Sequence, residues 1–289
     1  MNNNETPLLP FITPTKSYKI WQLNEISEHN NIGVYVFWDK YVIDNDKDIK
    51  RYDYDFNDSP LYIGRADNLG KRVLNHIKGN THTEPYSCYF HTVDLYELED
   101  AKTMKNDHPN YAAFTEIEKL QKIMKSNNGL NEKAITDFYE LYFILLRLPF
   151  FNERSSYFTA EVFKTYTYRA RYLNQHRRVW AKTEVVNPGG PTVEEFLQSN
   201  GINIDLWYPL DEFINKVISK WYLKDQNKKK YLSLIINDQI ANGDFPTEVI
   251  TGDLSKGTLK VAREYVIFYD HLLNKEQFKQ KYEENIGKW

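Results

Sequence analysis

The apolar positions of this chain change their period several times, and each change marks an element. Ile20, Leu23 and Ile26 stand at near-helical spacing and predict a short helix within residues 19–30. Ile32 to Trp38 is then apolar without a break and rich in β-branched and aromatic side chains, which predicts a strand. Asp39 to Ser59 is a polar insert crowded with charge, too long for a tight hairpin turn and read as a solvated extension. Pro60 to Gly64 predicts a second strand, its proline confined to the first residue, where a missing donor is tolerated. Asp67 is the expected cap of a helix running to Lys78 and stopped by Gly79. Within it Leu69, Val73 and Ile77 repeat every four residues as the buried stripe. Arg72 and His76, also four apart, share the adjacent face and so project toward one place.

Tyr86 to Leu98 mixes aromatic and β-branched residues and predicts a third strand, and Ala112 to Lys125 an amphipathic helix. Asn131 to Arg147 has the strongest helical pattern. Phe138, Leu141, Tyr142, Leu145 and Leu146 form its apolar face and Glu140 lies beside that face. Leu148-Pro149 ends the helix, because proline lacks a donor and its predecessor is pushed out of the α region; Asn152 follows at once. Asn187-Pro188-Gly189-Gly190-Pro191 is a linker or a sharp turn. Thr192 and Glu195 then have capping-box spacing, opening a new helical unit. Asp211 to Lys224, Asn227 to Asn242 and Thr258 to Leu273 predict further helices of an all-α part. The expected fold class is α+β: a small, mostly antiparallel central sheet flanked by helices, then a helical C-terminal part. The expected domains are 1–186, including a basic segment at 164–182, and 192–289, a helical domain.

A chain of 289 residues can hold one large domain or two ordinary ones. Its single cysteine, Cys88, excludes an intrachain disulfide and a cysteine-rich zinc cluster, and suits a reducing, cytoplasmic location. No apolar run approaches the ~20 residues that span a bilayer, and the polar start lacks the parts of a signal peptide, so no membrane partner is expected. The net charge of −3 gives no protein-wide basic footprint, so any nucleic-acid contact has to be local. One such stretch exists. Lys164, Arg169, Arg171, Arg177, Arg178 and Lys182 are interleaved with Tyr166, Tyr168, Tyr172 and Trp180, without an acid among them. It reads either as a solvated helix with aromatics facing the core, or as a set of phosphate contacts whose arginines can also reach guanine edges.

Hydrolysing a phosphodiester requires an activated water, a cation against the phosphate oxygens and help for the leaving alkoxide. Glu140 is the candidate ligand for a hard cation, Mg²⁺ or Mn²⁺, which one carboxylate and waters can hold. Arg72 offers a planar, permanently charged fork to a phosphate. Tyr35 and Tyr62 can position or deprotonate water, though a phenol needs a neighbouring cation to act as a base, an influence assigned to His76 or the metal. Asn152 can fix a partner without adding charge. Singly these residues are ordinary, since the chain has 22 tyrosines and most helical arginines are merely solvated. Their order carries the weight: Gly33-Val34-Tyr35, Tyr62-Ile63-Gly64, Arg72 eight residues past Gly64, His76 four further on, then Glu140 and Asn152.

That order resembles the GIY-YIG nuclease family over roughly residues 31–155. The resemblance implies an active site of Tyr35, Tyr62, Arg72, His76, Glu140 and Asn152, with Glu140 as the metal ligand. Val34 stands where isoleucine gives the first motif its name, a swap of β-branched residues. Arg65 stands where a small or polar residue is frequent, as a further phosphate contact or a plain surface charge. The long gap between the motifs resembles the type II restriction branch, which implies sequence-specific cleavage of double-stranded DNA. A repair or homing nuclease, or a non-cleaving DNA-binding protein on the same scaffold, is the alternative. One set of site residues per chain and the twofold symmetry of a duplex lead to the expectation of a homodimer on DNA.

Overall fold

The computed structural model describes residues 16–38, 60–97 and 179–289, together with Pro14, Thr136, Glu140, Phe143, Ile144 and Asn152. The unbroken apolar run becomes β2 (Gly33–Trp38), buried from Gly33 to Phe37 because it is the inner strand of a four-stranded antiparallel sheet and is covered on both faces. Its neighbours are β4 (Thr92–Glu97) on one side and β3 (Tyr62–Ala66) on the other. A short first strand, β1 (Lys16–Lys19), pairs with β4, giving the order β1-β4-β2-β3.

The register decides which side chains share a face, since residues directly opposite one another point the same way. Tyr35 is opposite Gly64 and Leu95, and Phe37 is opposite Tyr62 and Val93. This face is covered by α2 (Leu69–Ile77), whose Leu69, Val73 and Ile77 are buried as the four-residue repeat requires. Val34, opposite Arg65 and Tyr96, belongs to the other face. There Tyr96 packs on Phe143 with ring centroids 4.9 Å apart, and Thr136, Glu140, Phe143 and Ile144 are helical, as the 131–147 pattern predicts.

Both motif glycines are required by close approach. A Cβ on Gly33 would collide with the Tyr96 carbonyl oxygen and sit 2.8 Å from Leu69 Cδ1, so any side chain would push the β4 backbone away from β2. A Cβ on Gly64 would occupy the space taken by the Tyr35 hydroxyl, which lies across β3 only because that position is bare.

Three local expectations are corrected. The cap of α2 is Asn68, whose side chain accepts from Lys71 N at 2.8 Å, one residue after Asp67. The start of the expected third strand is helical, α3 (Glu84–Ser87), with Pro85 in its first turn, where the missing donor costs nothing. The part from residue 192 onward is not all-α among the described residues. It holds α5 (Val193–Ser199), α6 (Leu210–Lys220), α7 (Gln226–Ala241), α8 (Tyr265–Phe268) and α9 (Lys275–Asn285), but also a three-stranded antiparallel sheet. That sheet comprises β5 (Trp207–Pro209), β7 (Lys260–Ala262) and β6 (Ile250–Thr251), in that order, and β7 and α8 occupy much of the helix expected at 258–273. Strands of two or three residues leave no period to read. Ahead of them α4 (Val179–Thr183) is followed by the proline-glycine stretch, which is a sharp turn: Val185 bridges Thr192 and Val186 N bonds Pro191 O at 3.0 Å. The Thr192–Glu195 capping box forms as expected.

The N-terminal sheet and the later elements share one apolar core, which includes Phe37 and Phe90 as well as Phe213, Tyr265 and Phe278. The insert at 39–59, the helix expected at 112–125 and the segment holding Arg169, Arg171, Arg177 and Arg178 lie outside the described residues. No helix among the described residues is long and apolar enough to cross a membrane.

Candidate active site

Tyr35, Tyr62, Arg65, Arg72, Glu140 and Asn152 all line one cleft of about 600 Å³, in the company of Asp67, Asn68, Lys71, Asn75 and His82. The cleft forms at the β3 edge of the sheet, and that position explains how residues from both faces meet. Tyr35 and Tyr62 arrive from the α2 face, Arg65 and Glu140 from the opposite face, and Arg72 from α2 itself.

β3 is an edge strand, and an unpaired edge has open backbone groups. Asn152 closes this one at Ile63: its Oδ1 accepts from Ile63 N at 2.9 Å and its Nδ2 donates to Ile63 O at 2.7 Å. The partner expected for Asn152 is therefore the strand that carries Tyr62 and Gly64. Arg65 is no plain surface charge, because its Nε lies 3.7 Å from Glu140 Oε2 and draws that carboxylate toward the cleft.

At the back of the cleft Tyr35 is almost wholly buried, and its hydroxyl lies 2.7 Å from His76 Nε2. Burial, reinforced by Tyr62, holds the Tyr35 phenol well above its ordinary pKa, while a hydrogen bond and the charge of Arg72 pull the other way. His76 is fully buried, and burial, then the charges of Arg72 and His82, push it down to about 2. A neutral histidine carries no charge, so the cation beside Tyr35 is Arg72, and His76 acts on the phenol only through their hydrogen bond.

The other nitrogen of His76 is held from behind. Nδ1 lies 2.7 Å from Thr83 Oγ1 and 2.9 Å from Thr81 Oγ1. In front, the Tyr62 hydroxyl meets His82 Nε2 at 3.1 Å, and the rings of Tyr35, Tyr62, His76 and His82 pack tilted or edge-on as one aromatic wall with neighbouring centroids 5.3–6.2 Å apart. His82, Thr81 and Thr83 escaped the sequence reading because they sit in a turn without a period. The polar Asn80-Thr81-His82-Thr83 run just past the helix stop is the signal that points to them.

Arg65, Lys71 and Arg72 set three basic side chains against the carboxylates of Glu140 and Asp67 around the cleft, which favours an anionic ligand. Among the described residues no group of three or more His, Cys, Asp or Glu side chains is placed to hold a metal ion. Glu140, one of the two carboxylates lining the open cleft, fits a hydrated hard cation that keeps most of its waters. No protein-family model, no curated protein and no solved structure matches this chain, so the chemistry of the site rests on its own geometry.

Proposed function

We propose that this cleft hydrolyses phosphodiester bonds of double-stranded DNA, and that the protein is a GIY-YIG-like endonuclease, in its simplest form a sequence-specific type II restriction enzyme. The observation that carries this reading is the convergence of Tyr35, Tyr62, Arg72 and Glu140 on one cation-lined cleft from separate segments of the chain, with His76 behind Tyr35 and Asn152 holding the β3 edge at Ile63. Arg72 would meet the charge that develops on the phosphate, and Arg65 and Lys71 would hold the flanking backbone. The Tyr35 hydroxyl, protonated at neutral pH, would act as a hydrogen-bond donor to the attacking water or a phosphate oxygen, and Tyr62 would flank it. Glu140 would hold Mg²⁺ or Mn²⁺, which supplies Lewis-acid stabilisation of the phosphate when bound.

Incubating the full chain with a panel of plasmids and Mg²⁺ tests the reading. Discrete fragments support a restriction enzyme, nicks confined to lesions or branched DNA support a repair role on the same scaffold, and intact DNA with every divalent cation overturns cleavage. We further propose a homodimer on DNA, because one chain supplies one cleft and a duplex has two strands related by a local twofold axis. With DNA in excess, adding surplus Glu140→Ala protein to the wild type should then yield nicked circles. Linear product at the rate set by the wild type alone contradicts the dimer.

A further inference from the structure

Thr83 is fully buried although it is polar, sits in no regular element, and has its hydroxyl within hydrogen-bond distance of two groups: His76 Nδ1 at 2.7 Å and Thr81 Oγ1 at 2.8 Å. Thr81 Oγ1 closes the triangle at 2.9 Å from the same nitrogen and also accepts the Thr83 backbone N–H at 3.2 Å. A neutral imidazole carries its hydrogen on one nitrogen, and the group facing the other nitrogen selects which one.

Counting hydrogens favours one arrangement. If Nδ1 is bare, Thr83 donates to it, Thr81 donates to Thr83, and the Thr83 N–H serves the Thr81 oxygen. Every hydroxyl hydrogen then stays inside the triad. If Nδ1 carries the hydrogen, four hydrogens, the Thr83 N–H included, face two oxygens, and one hydroxyl hydrogen has to leave the triad for another acceptor. We infer that Thr83, backed by Thr81, is a positioning residue that holds His76 as the Nε2–H tautomer and so aims the Tyr35 hydroxyl hydrogen into the cleft. The consequence at Tyr35 is direct. Its oxygen accepts from His76 Nε2–H, so its own O–H is not spent on that ring and can point into the cleft that Tyr35 lines. In the opposite tautomer that hydrogen would be spent on His76, on the side away from the ligand.

The segment that delivers Thr83 is also anchored from outside the sheet. Glu84, the next residue, accepts from Arg263 and Tyr208, and from Lys216 Nζ at 3.0 Å, while Arg263 also donates to the Glu84 carbonyl at 2.9 Å. The later elements thus fix the backbone that sets the tautomer, and the 81–84 turn is where they reach the site.

The role of Tyr35 in cleavage rests on the nuclease reading; the tautomer does not, and the experiment separates the two. Imidazole ¹⁵N spectra of the full chain at neutral pH, with His76 assigned by its loss in His76→Gln, report which nitrogen carries the hydrogen. The wild type should show the hydrogen on Nε2. Thr83→Val, equal in shape but without a hydroxyl, should populate the other tautomer and slow DNA cleavage about 10- to 100-fold at unchanged DNA affinity, the scale on which lost orientation of a histidine is felt. Thr83→Ser should restore both. Hydrogen on Nδ1 in the wild type overturns the inference without any variant, as does a Thr83→Val protein that keeps wild-type tautomer and rate. A wild-type protein that cuts no DNA sinks the nuclease reading, and the spectra alone then decide for or against Thr83.

Discussion

The sheet around β2 and the unit from α5 to α9 both bury polar side chains, and they do so for different ends. In the later unit the Tyr269 hydroxyl bonds Gln239 Oε1 at 2.7 Å, Trp221 Nε1 bonds Asp270 Oδ1 at 2.8 Å, and Lys220 Nζ bonds the carbonyls of Val266 and Ile267 at 3.2 and 2.9 Å. These are closed exchanges that tie one element to the next. Around β2 the buried groups form a relay instead: Thr81 and Thr83 behind His76, His76 behind Tyr35, and Tyr35 against a cleft lined with cations. A buried tyrosine hydroxyl occurs in both regions, and burial raises the pKa of Tyr35 and Tyr269 alike. Burial of a polar group therefore does not mark a site; its line of sight to an accessible, charged cleft does.

Substitutions can break this contrast, beginning with those of largest effect. Arg72→Ala should slow DNA cleavage by about 10²- to 10³-fold, the cost of one preorganised charge-stabilising group, while leaving the urea midpoint within the usual range of a surface change. A large loss of stability without a change in rate would make Arg72 a packing residue. Glu84→Gln should act first on stability, at the joint between the two regions. It leaves the buried Arg263 guanidinium without its carboxylate, and the expected loss is about 3 kcal/mol in urea unfolding. A loss below about 1 kcal/mol would show that the Arg263–Glu84 ion pair contributes little to stability.

An acid titration sharpens the comparison further. His76 is held far below the ordinary histidine range when folded, so the unfolded chain takes up a proton there that the native protein does not. The stability linked to this group is fully present above about pH 6.5 and is lost as pH falls, by up to about 1.4 kcal/mol per pH unit. The Glu84 carboxylate acts in the same direction at lower pH. Burial works against its charge, but Arg263, Tyr208 and Lys216 outweigh that and hold it below its ordinary value. Urea unfolding between pH 7 and pH 5 should show the slope, and His76→Gln should remove about one proton of it. An unchanged slope in His76→Gln would mean that His76 is charged in the folded state.

The smallest expected effect is at Tyr222, 82 % exposed with φ at 55°, just past the end of α6, where glycine is the usual residue. Tyr222→Gly should raise stability by about 0.5–1 kcal/mol in thermal unfolding. A decrease would mean that the tyrosine ring makes contacts worth more than the backbone strain.

What the sequence made legible follows the same division. β2, β3 and α2 could be read because their apolar positions repeat, and the repeat is the packing itself: Leu69, Val73 and Ile77 line the core, which leaves Arg72 and His76 facing the strands. Glu140 was legible as a carboxylate beside an apolar helix face. The tautomer-setting turn at 81–83 was not, because three polar residues between two elements have no period, and their meaning comes from a histidine on another element. α3 looked like a strand because Tyr86, Tyr89 and Phe90 mimic one, although Pro85 in a first turn argued for a helix. The small sheet of β5, β6 and β7 was hidden by its length, since its register depends on partners more than 40 residues apart in the chain for the β5–β7 pair.

The central claim, that the β3-edge cleft is a metal-assisted phosphodiesterase, meets its most direct test in Glu140→Gln. The substitution keeps size and hydrogen-bonding capacity but removes the one cleft carboxylate that arrives from the helix on the far face. Plasmid cleavage at saturating Mg²⁺ should fall by about 10³-fold or more, while DNA affinity, dominated by cationic contacts, stays within a few-fold of the wild type. Wild-type turnover by Glu140→Gln would contradict the account.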